Sequence, residues 1–303
     1  MKGLRKLKNY WALYLLMVPG LVYLIINNYI PMTGIIIAFK KYNIKDGIYG
    51  SPWNGLKNFK YLVSNDLGLI LRNTILYNLV FIVLGMFCSV ALAIMISDIV
   101  NPTAKKIYQS FVMMPFLISM VIVSYIVFAF LSAENGLINK GILIPLGKEP
   151  VSWYSTTKPW PFILTFVHLW KSAGYGTLIY IAGIAGIDKE LYEAARIDGA
   201  SRWKQIKAIT LPHLIPSMIT LTMLNIGRIF YSDFGLFFQV PQSSGALFSV
   251  TQTIDTYVYR ALISTGGVTK SAAAGFFQSV VGFLFVMGSN LLVRKISPEN
   301  AMF

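Results

Sequence analysis

The sequence predicts an all-α integral membrane protein of six transmembrane helices, folded as one domain over residues 1–303. Three observations predict it. Only 13% of the 303 residues are charged, against roughly 25% in soluble domains, and the mean hydropathy is +0.62. Apolar runs recur along the chain, each near the ~20 residues that cross a hydrocarbon core. The basic residues behind the net charge of +14 lie in short clusters between those runs, which is how loops of membrane proteins are charged. They form no basic patch interleaved with stacking aromatics, so nucleic acid is excluded as a partner and membrane lipid is the expected solvent.

The first span, about 11–38, follows Lys2, Arg5, Lys6 and Lys8. Its apolar run exceeds the ~7–15 residues of a signal-peptide core and has no small-residue cleavage site, so it reads as a retained anchor helix. Pro19 and Pro31 sit near its ends or kink it. The remaining spans fall at about 73–97, 107–131, 160–184, 214–238 and 271–293. Six crossings leave both termini on one side. Lysine and arginine are denser there, before the first span, at Lys105–Lys106, in 186–213 and at Arg294–Lys295, than in 40–72, 132–158 and 239–270. Both termini are therefore expected to be cytoplasmic. The opposite loops carry the turn formers Asp46-Gly47, Ser51-Pro52, Asn135-Gly136, Pro241 and Gly266-Gly267. Residues 55–62 have an amphipathic spacing that fits either an interfacial helix or an ordinary connection.

Catalytic chemistry finds no footing in the chain. Cys88 stands alone, and His168 and His213 are far apart without ligand spacing, so no metal site is expected. Gly266-Gly267-Val268-Thr269-Lys270-Ser271 lacks the Gly-Lys adjacency and preceding strand of a phosphate-binding loop. No catalytic residue and no bound cofactor are expected, and the chain reads as no enzyme. Two cations do fall within predicted spans, Lys171 in the fourth and Arg228 in the fifth. At helical spacing His168, Lys171 and Tyr175 share one face, as do Asn225, Arg228 and Tyr231. Ionisable groups in spans face cavities or partners, and aromatic faces beside hydrogen-bond donors suit sugar rings. Two readings fit: these residues line a substrate pathway, or the cations pair with acids such as Asp233 or with helix ends in a partner subunit.

The segment 188–213 is polar between two apolar runs. Asp188 is placed to cap a helix over 189–197 whose small apolar face is Leu191, Ala194, Ala195 and Ile197. Gly199 stops it, and Ser201 caps a second helix with Trp203, Ile206, Lys207 and Ile209, which Leu211-Pro212 ends. Physical chemistry alone allows this pair either to grip a partner or to lie on lipid headgroups.

The residues Glu193, Ala194, Ala195, Asp198, Gly199 and Ala200, then Ile209, Leu211 and Pro212, resemble the ATPase-docking loop of ABC importer permeases; Ile206 stands where that family often has an aromatic. The resemblance implies a type I importer permease fold in which 188–213 forms cytoplasmic coupling helices seated in a separate ATPase. Leu16-Met17-Val18-Pro19-Gly20, Tyr29-Ile30-Pro31-Met32, Ser51-Pro52-Trp53, Gly55 to Phe59, Arg72-Asn73-Thr74, Trp170-Lys171 and Ile254 to Arg260 are similar to bacterial carbohydrate permeases of the lipoprotein/polysaccharide type, relatives of the maltose and alginate importers. Phe230 to Gln242 fits that subgroup less well. The resemblance implies a bacterial inner-membrane location and a set of partners: a second homologous permease, two cytoplasmic ATPase subunits that bind ATP and magnesium, and an external sugar-binding protein meeting loops 132–158 and 239–270. It implies an oligosaccharide cargo, and the two cations favour an acidic one. The rival class is a secondary transporter or channel acting without an ATPase, which would often carry inverted repeats; none is evident.

Overall fold

The computed structural model describes residues 10–64, 67–263 and 267–296. Lys2, Arg5, Lys6, Lys8 and Gly266 lie outside the described residues. Among the described residues ten helices organise the chain: α1 Trp11–Phe39, α2 Lys57–Ser64, α3 Leu67–Ser97, α4 Pro102–Leu117, α5 Met120–Leu131, α6 Trp160–Ala185, α7 Lys189–Ile197, α8 Arg202–Ile226, α9 Ile254–Ile263 and α10 Val268–Ile296. Short helical turns connect them. Among the described residues the only strand-like pairing is an isolated bridge between Lys40 and Trp53.

Four of these helices, α1, α3, α8 and α10, are long and apolar enough to cross a membrane unbroken, and α4 with α5 makes a fifth if a 94° bend counts within one span. The expected count of six is thus not reproduced by length and apolarity. The fourth expected span is a helix of 26 residues, α6, but His168, Lys171, Ser172 and its glycines dilute its apolar character. The third is two helices. Pro115 removes a donor near the end of α4, and Ser119 caps α5 by accepting from Ile122 N–H, so the chain turns between them. The fifth is displaced. It begins at Arg202 and stops at Ile226, and 227–233 is not helical before the wide turn at Gly235–Gln239.

The chain divides into two compact units, residues 1–65 with 258–277, and 66–257 with 278–303. In the first, α1 contains Pro19 and passes through a wide turn at Ile25–Tyr29 just before Pro31, where the looser geometry accommodates a residue without an N–H. Only 6% of the apolar window of α1 is buried within the chain. Residues 57–64 do form a helix, α2. Phe59 packs against Phe39 and Phe276 at centroid distances of 5.4 and 6.0 Å, and Asn58 donates to the carbonyls of Ala38 and Lys40.

In the second unit, α3 and α6 lie along one another. One core cluster joins Tyr77 and Phe81 of α3, Val123 of α5, Trp160, Leu164 and Val167 of α6, and Leu236, Phe237, Val240 and Leu247. Another joins Val90, Ala93 and Ile96 of α3 to Tyr180 and Ile181 of α6 and Leu214 of α8. Close approach depends on small residues, as in most membrane bundles. A Cβ on Gly174 would collide with the Val112 carbonyl of α4. The first turns of α3 also grip a distant loop: Asn73 donates to the carbonyls of Ser249 and Gln252, Tyr77 to that of Val250, and Thr74 Oγ1 accepts from Ile254 N–H at 3.1 Å.

Candidate functional site: an exposed helical pair and a polar cavity

Two features stand out in the second unit, and α8 belongs to both. The first is the pair α7 and α8 at 188–213. Asp188 caps α7 by accepting from Glu190 N–H, and Ser201 caps α8 by accepting from Lys204 N–H. Gly199 has φ +70°, a left-handed conformation that carries little penalty only for glycine. It closes α7 together with the bond from Ala200 N–H to the Ala195 carbonyl.

The expected stop at Leu211-Pro212 is absent. A wide turn at Ile206–Thr210 lets Leu211 N–H reach the Ile206 carbonyl, and Pro212 then occupies an early position of the next helical segment, where its missing N–H leaves no gap. The second helix of the pair is therefore continuous with the fifth span, 25 residues in all.

The pair is tied to the rest of the unit by its root. Arg202 forms a two-pronged ion pair with Asp98 just past the end of α3, Tyr192 shares a hydrogen bond with Thr210, and Gln205 donates to the Ala200 carbonyl. Ile206 and Thr210 are buried. The outer surface is open: Glu193, Ala194, Asp198, Gly199 and Pro212 are exposed, while Ala195, Ala200 and Leu211 are half-buried. Ile197 is 87% exposed and Trp203 62%. Large apolar side chains presented on a capped, rooted scaffold mark a surface for contact with a protein or a membrane.

The second feature is a cavity of 280 Å³ among α3, α6, α8 and the turn after α8, near the ~300 Å³ at which small-molecule pockets begin. Its polar wall is Asn78, Ser89, His168, Ser172, Tyr175, Asn225, Thr222, Arg228 and Tyr231; Phe81, Met86 and Leu221 contribute apolar surface. No carboxylate lines it. His168 stacks on Phe81 at 3.8 Å with the rings 7° apart, and Tyr175 stacks on Phe116 at 5.2 Å. Tyr175, Asn225, Arg228 and Tyr231 are exposed toward open space. Among the described residues no group of three or more His, Cys, Asp or Glu side chains is placed to hold a metal ion.

The structure brings Tyr175, Asn225, Arg228 and Tyr231 together, although Arg228 and Tyr231 lie beyond the end of α8 rather than within it. Lys171 is elsewhere. Its ammonium donates to the carbonyls of Pro115, Phe116 and Ile118, the last at 2.6 Å, at the bend between α4 and α5. The negative end of the α4 dipole and these carbonyls stabilise the ammonium without an acid, the Pro115 carbonyl being shared with Ile118 N–H. Asp233 caps the wide turn at 235–239 by accepting from Leu236 N–H. Asn78 and Ser172 were missed from sequence; the available signal was an amide and a hydroxyl inside otherwise apolar spans.

The sequence pattern of the family described as binding-protein-dependent transport system inner membrane component matches residues 72–298. Protein LplB of Bacillus subtilis (strain 168) is 34% identical over 289 residues, covering 95% of this chain and 90% of that protein. The polygalacturonan/rhamnogalacturonan transport system permease protein YteP of the same organism is 33% identical, covering 95% and 89%. A chain in the crystal structure of a bacterial ABC transporter involved in the import of the acidic polysaccharide alginate superposes with a TM-score of 0.88 at 29% identity, covering 98% of this chain and all of that one. A helical membrane chain with an exposed helical pair at one end of α8 and a polar cavity at the other, matched over nearly its whole length by such relatives, belongs to the binding-protein-dependent transport system inner membrane component family.

Proposed function

We propose that this chain is the permease subunit of a bacterial ABC importer for acidic oligosaccharides, working with a second homologous permease, two cytoplasmic ATPase subunits and an external sugar-binding protein. In this reading both termini and the α7–α8 pair face the cytoplasm. Glu193, Ala194, Ala195, Asp198, Gly199, Ala200, Ile206, Leu211 and Pro212 form or support the surface that meets an ATPase. Nucleotide-driven closure of the ATPases moves the pair, and ATP and magnesium stay in those partners.

The observation that carries the reading is the continuity of α8, one helix that starts at the exposed docking surface and ends at the polar cavity. Its two ends are ~37 Å apart at 1.5 Å per residue. The cavity supports the cargo class. Arg228 is a cation facing open space in a wall without carboxylates, and Tyr175 and Tyr231 offer ring faces beside the amide of Asn225. A uronate carboxylate matches the guanidinium, and the C–H face of a sugar ring matches the tyrosines.

The test is uptake by proteoliposomes holding the complete transporter with its binding protein. ATP-dependent accumulation of uronate oligosaccharides, preferred over neutral ones of equal length, is expected. Equal or better uptake of neutral sugars removes the acidic cargo. Uptake by the permease pair without ATPases replaces the importer with the rival class, a secondary transporter or channel.

A further inference from the structure

The non-helical stretch 227–232, which presents Arg228 and Tyr231 to the cavity, keeps one helical bond, from Gly227 N–H to the Met223 carbonyl, and then makes short local turns: Arg228 to Asn225, Ile229 to Ile226 and Tyr231 to Arg228. Its carbonyls have no helical partners. Irregular backbone persists at membrane depth only where neighbours satisfy it. Here three side chains from three elements do so. Asn78 of α3 donates to the Ile229 carbonyl at 2.9 Å. Gln278 of α10 donates to the Phe230 carbonyl at 2.6 Å and to Asp255 Oδ1 at 3.1 Å. Asp255 of α9 accepts, through Oδ2, the N–H of Ser232 at 2.6 Å and its hydroxyl at 2.7 Å.

We infer that Asn78, Asp255 and Gln278 are positioning residues that clamp the 227–232 segment and so set where Arg228 and Tyr231 meet the cargo; for saccharide handling this rests on the cavity being the pathway proposed above. Asp255 and Gln278 do not line the cavity, so any effect they have on cargo passes through the segment they hold. A segment fixed at the backbone of 229, 230 and 232 has little freedom left between its two cavity side chains. Ile229 and Phe230 are 2% and 4% exposed, which pins the stretch from its other face.

The experiment uses the complete transporter in proteoliposomes. Gln278→Leu and Asp255→Leu each raise the half-saturating concentration of a uronate oligosaccharide about tenfold, the scale of one lost hydrogen bond to a charged or strongly held group, with maximal rate largely kept. Asp255→Asn, which still accepts from Ser232, stays within about threefold of the parent. Combined with Arg228→Gln, the losses do not multiply, because both act through one contact. A second readout needs no cargo: a cysteine at 231 (Tyr231→Cys with Cys88→Ala) is labelled several-fold faster by a polar maleimide when Gln278→Leu is added.

Unchanged labelling overturns the clamp whatever uptake does. Faster labelling with an unchanged half-saturating concentration overturns the positioning role. Faster labelling in a parent complex that takes up no saccharide supports the clamp and removes the saccharide reading instead.

Discussion

At the scale of single residues, the proposed docking surface rests on conformation as much as on chemistry. Gly199 at φ +70° has no atom within 4 Å of a built Cβ, so a side chain there meets open space and the penalty is backbone strain alone, ~1–2 kcal/mol for a residue that resists the left-handed region. Gly199→Val is expected to lower ATPase co-purification and ATP-dependent uptake, whereas Gly199→Asn, which tolerates that region, keeps most of both. Glu193 is exposed on α7, so Glu193→Lys should shift the melting temperature of the permease pair little, within about 0.5 kcal/mol of stability, yet abolish ATPase co-purification. Normal recruitment and uptake in Glu193→Lys and Gly199→Val together would sink the coupling assignment. These residues were legible from sequence because their roles are local: a cap, a left-handed stop, a charge on an exposed turn. Lys171 was not. The same ammonium serves a cavity or a helix end, and only the placement of the Pro115, Phe116 and Ile118 carbonyls decides between them.

At the scale of elements, the apolar runs overlap long helices, but hydropathy misplaced the breaks within them and left α9 inside an expected outer loop. An apolar run carries no mark of where it bends, since lipid and protein interior are equally apolar. Lys171, far away in sequence, bonds the carbonyls at the 94° turn between α4 and α5, and Asn78 and Gln278 bond those of Ile229 and Phe230 beyond the end of α8. Pro115 and Pro212 show why one residue type misleads: the first precedes a real break, while the second sits in a continuous helix because a wide turn absorbs it. Lys171→Met, which takes the Lys171 ammonium away from the Phe116 and Ile118 carbonyls and leaves Pro115 only its bond from Ile118 N–H, is expected to cost ~1–3 kcal/mol, read as a lower melting temperature of the purified permease pair. The root of the docking pair makes a different demand. The Arg202–Asp98 pair is partly exposed, at 44% and 33%, so its loss should cost at most ~1 kcal/mol. Uptake should nonetheless fall in Asp98→Arg and recover when Arg202→Asp is added, as measured in the same vesicles; no recovery in the swap would show that the bond does not tie the pair to α3.

At the scale of the whole molecule, the chain is built to work in company. Only 6% of the apolar window of α1 is buried within the chain and 11% of that of α8, and the docking pair leaves Ile197 and Trp203 uncovered. The permease pair reconstituted without ATPases is expected to accumulate no cargo, and addition of the ATPases with ATP to restore uptake, as followed with labelled oligosaccharide. The unbroken helix from Arg202 to Ile226 has a thermodynamic consequence as well. In the proposed reading one helix is shared by the ATPase surface and the cargo cavity, which makes their occupancies conjugate: whatever factor ATPase engagement contributes to the affinity of the cavity for its cargo, cargo must return to the affinity of the α7–α8 pair for the ATPase. Measured on the assembled transporter, the two titrations should yield one coupling constant.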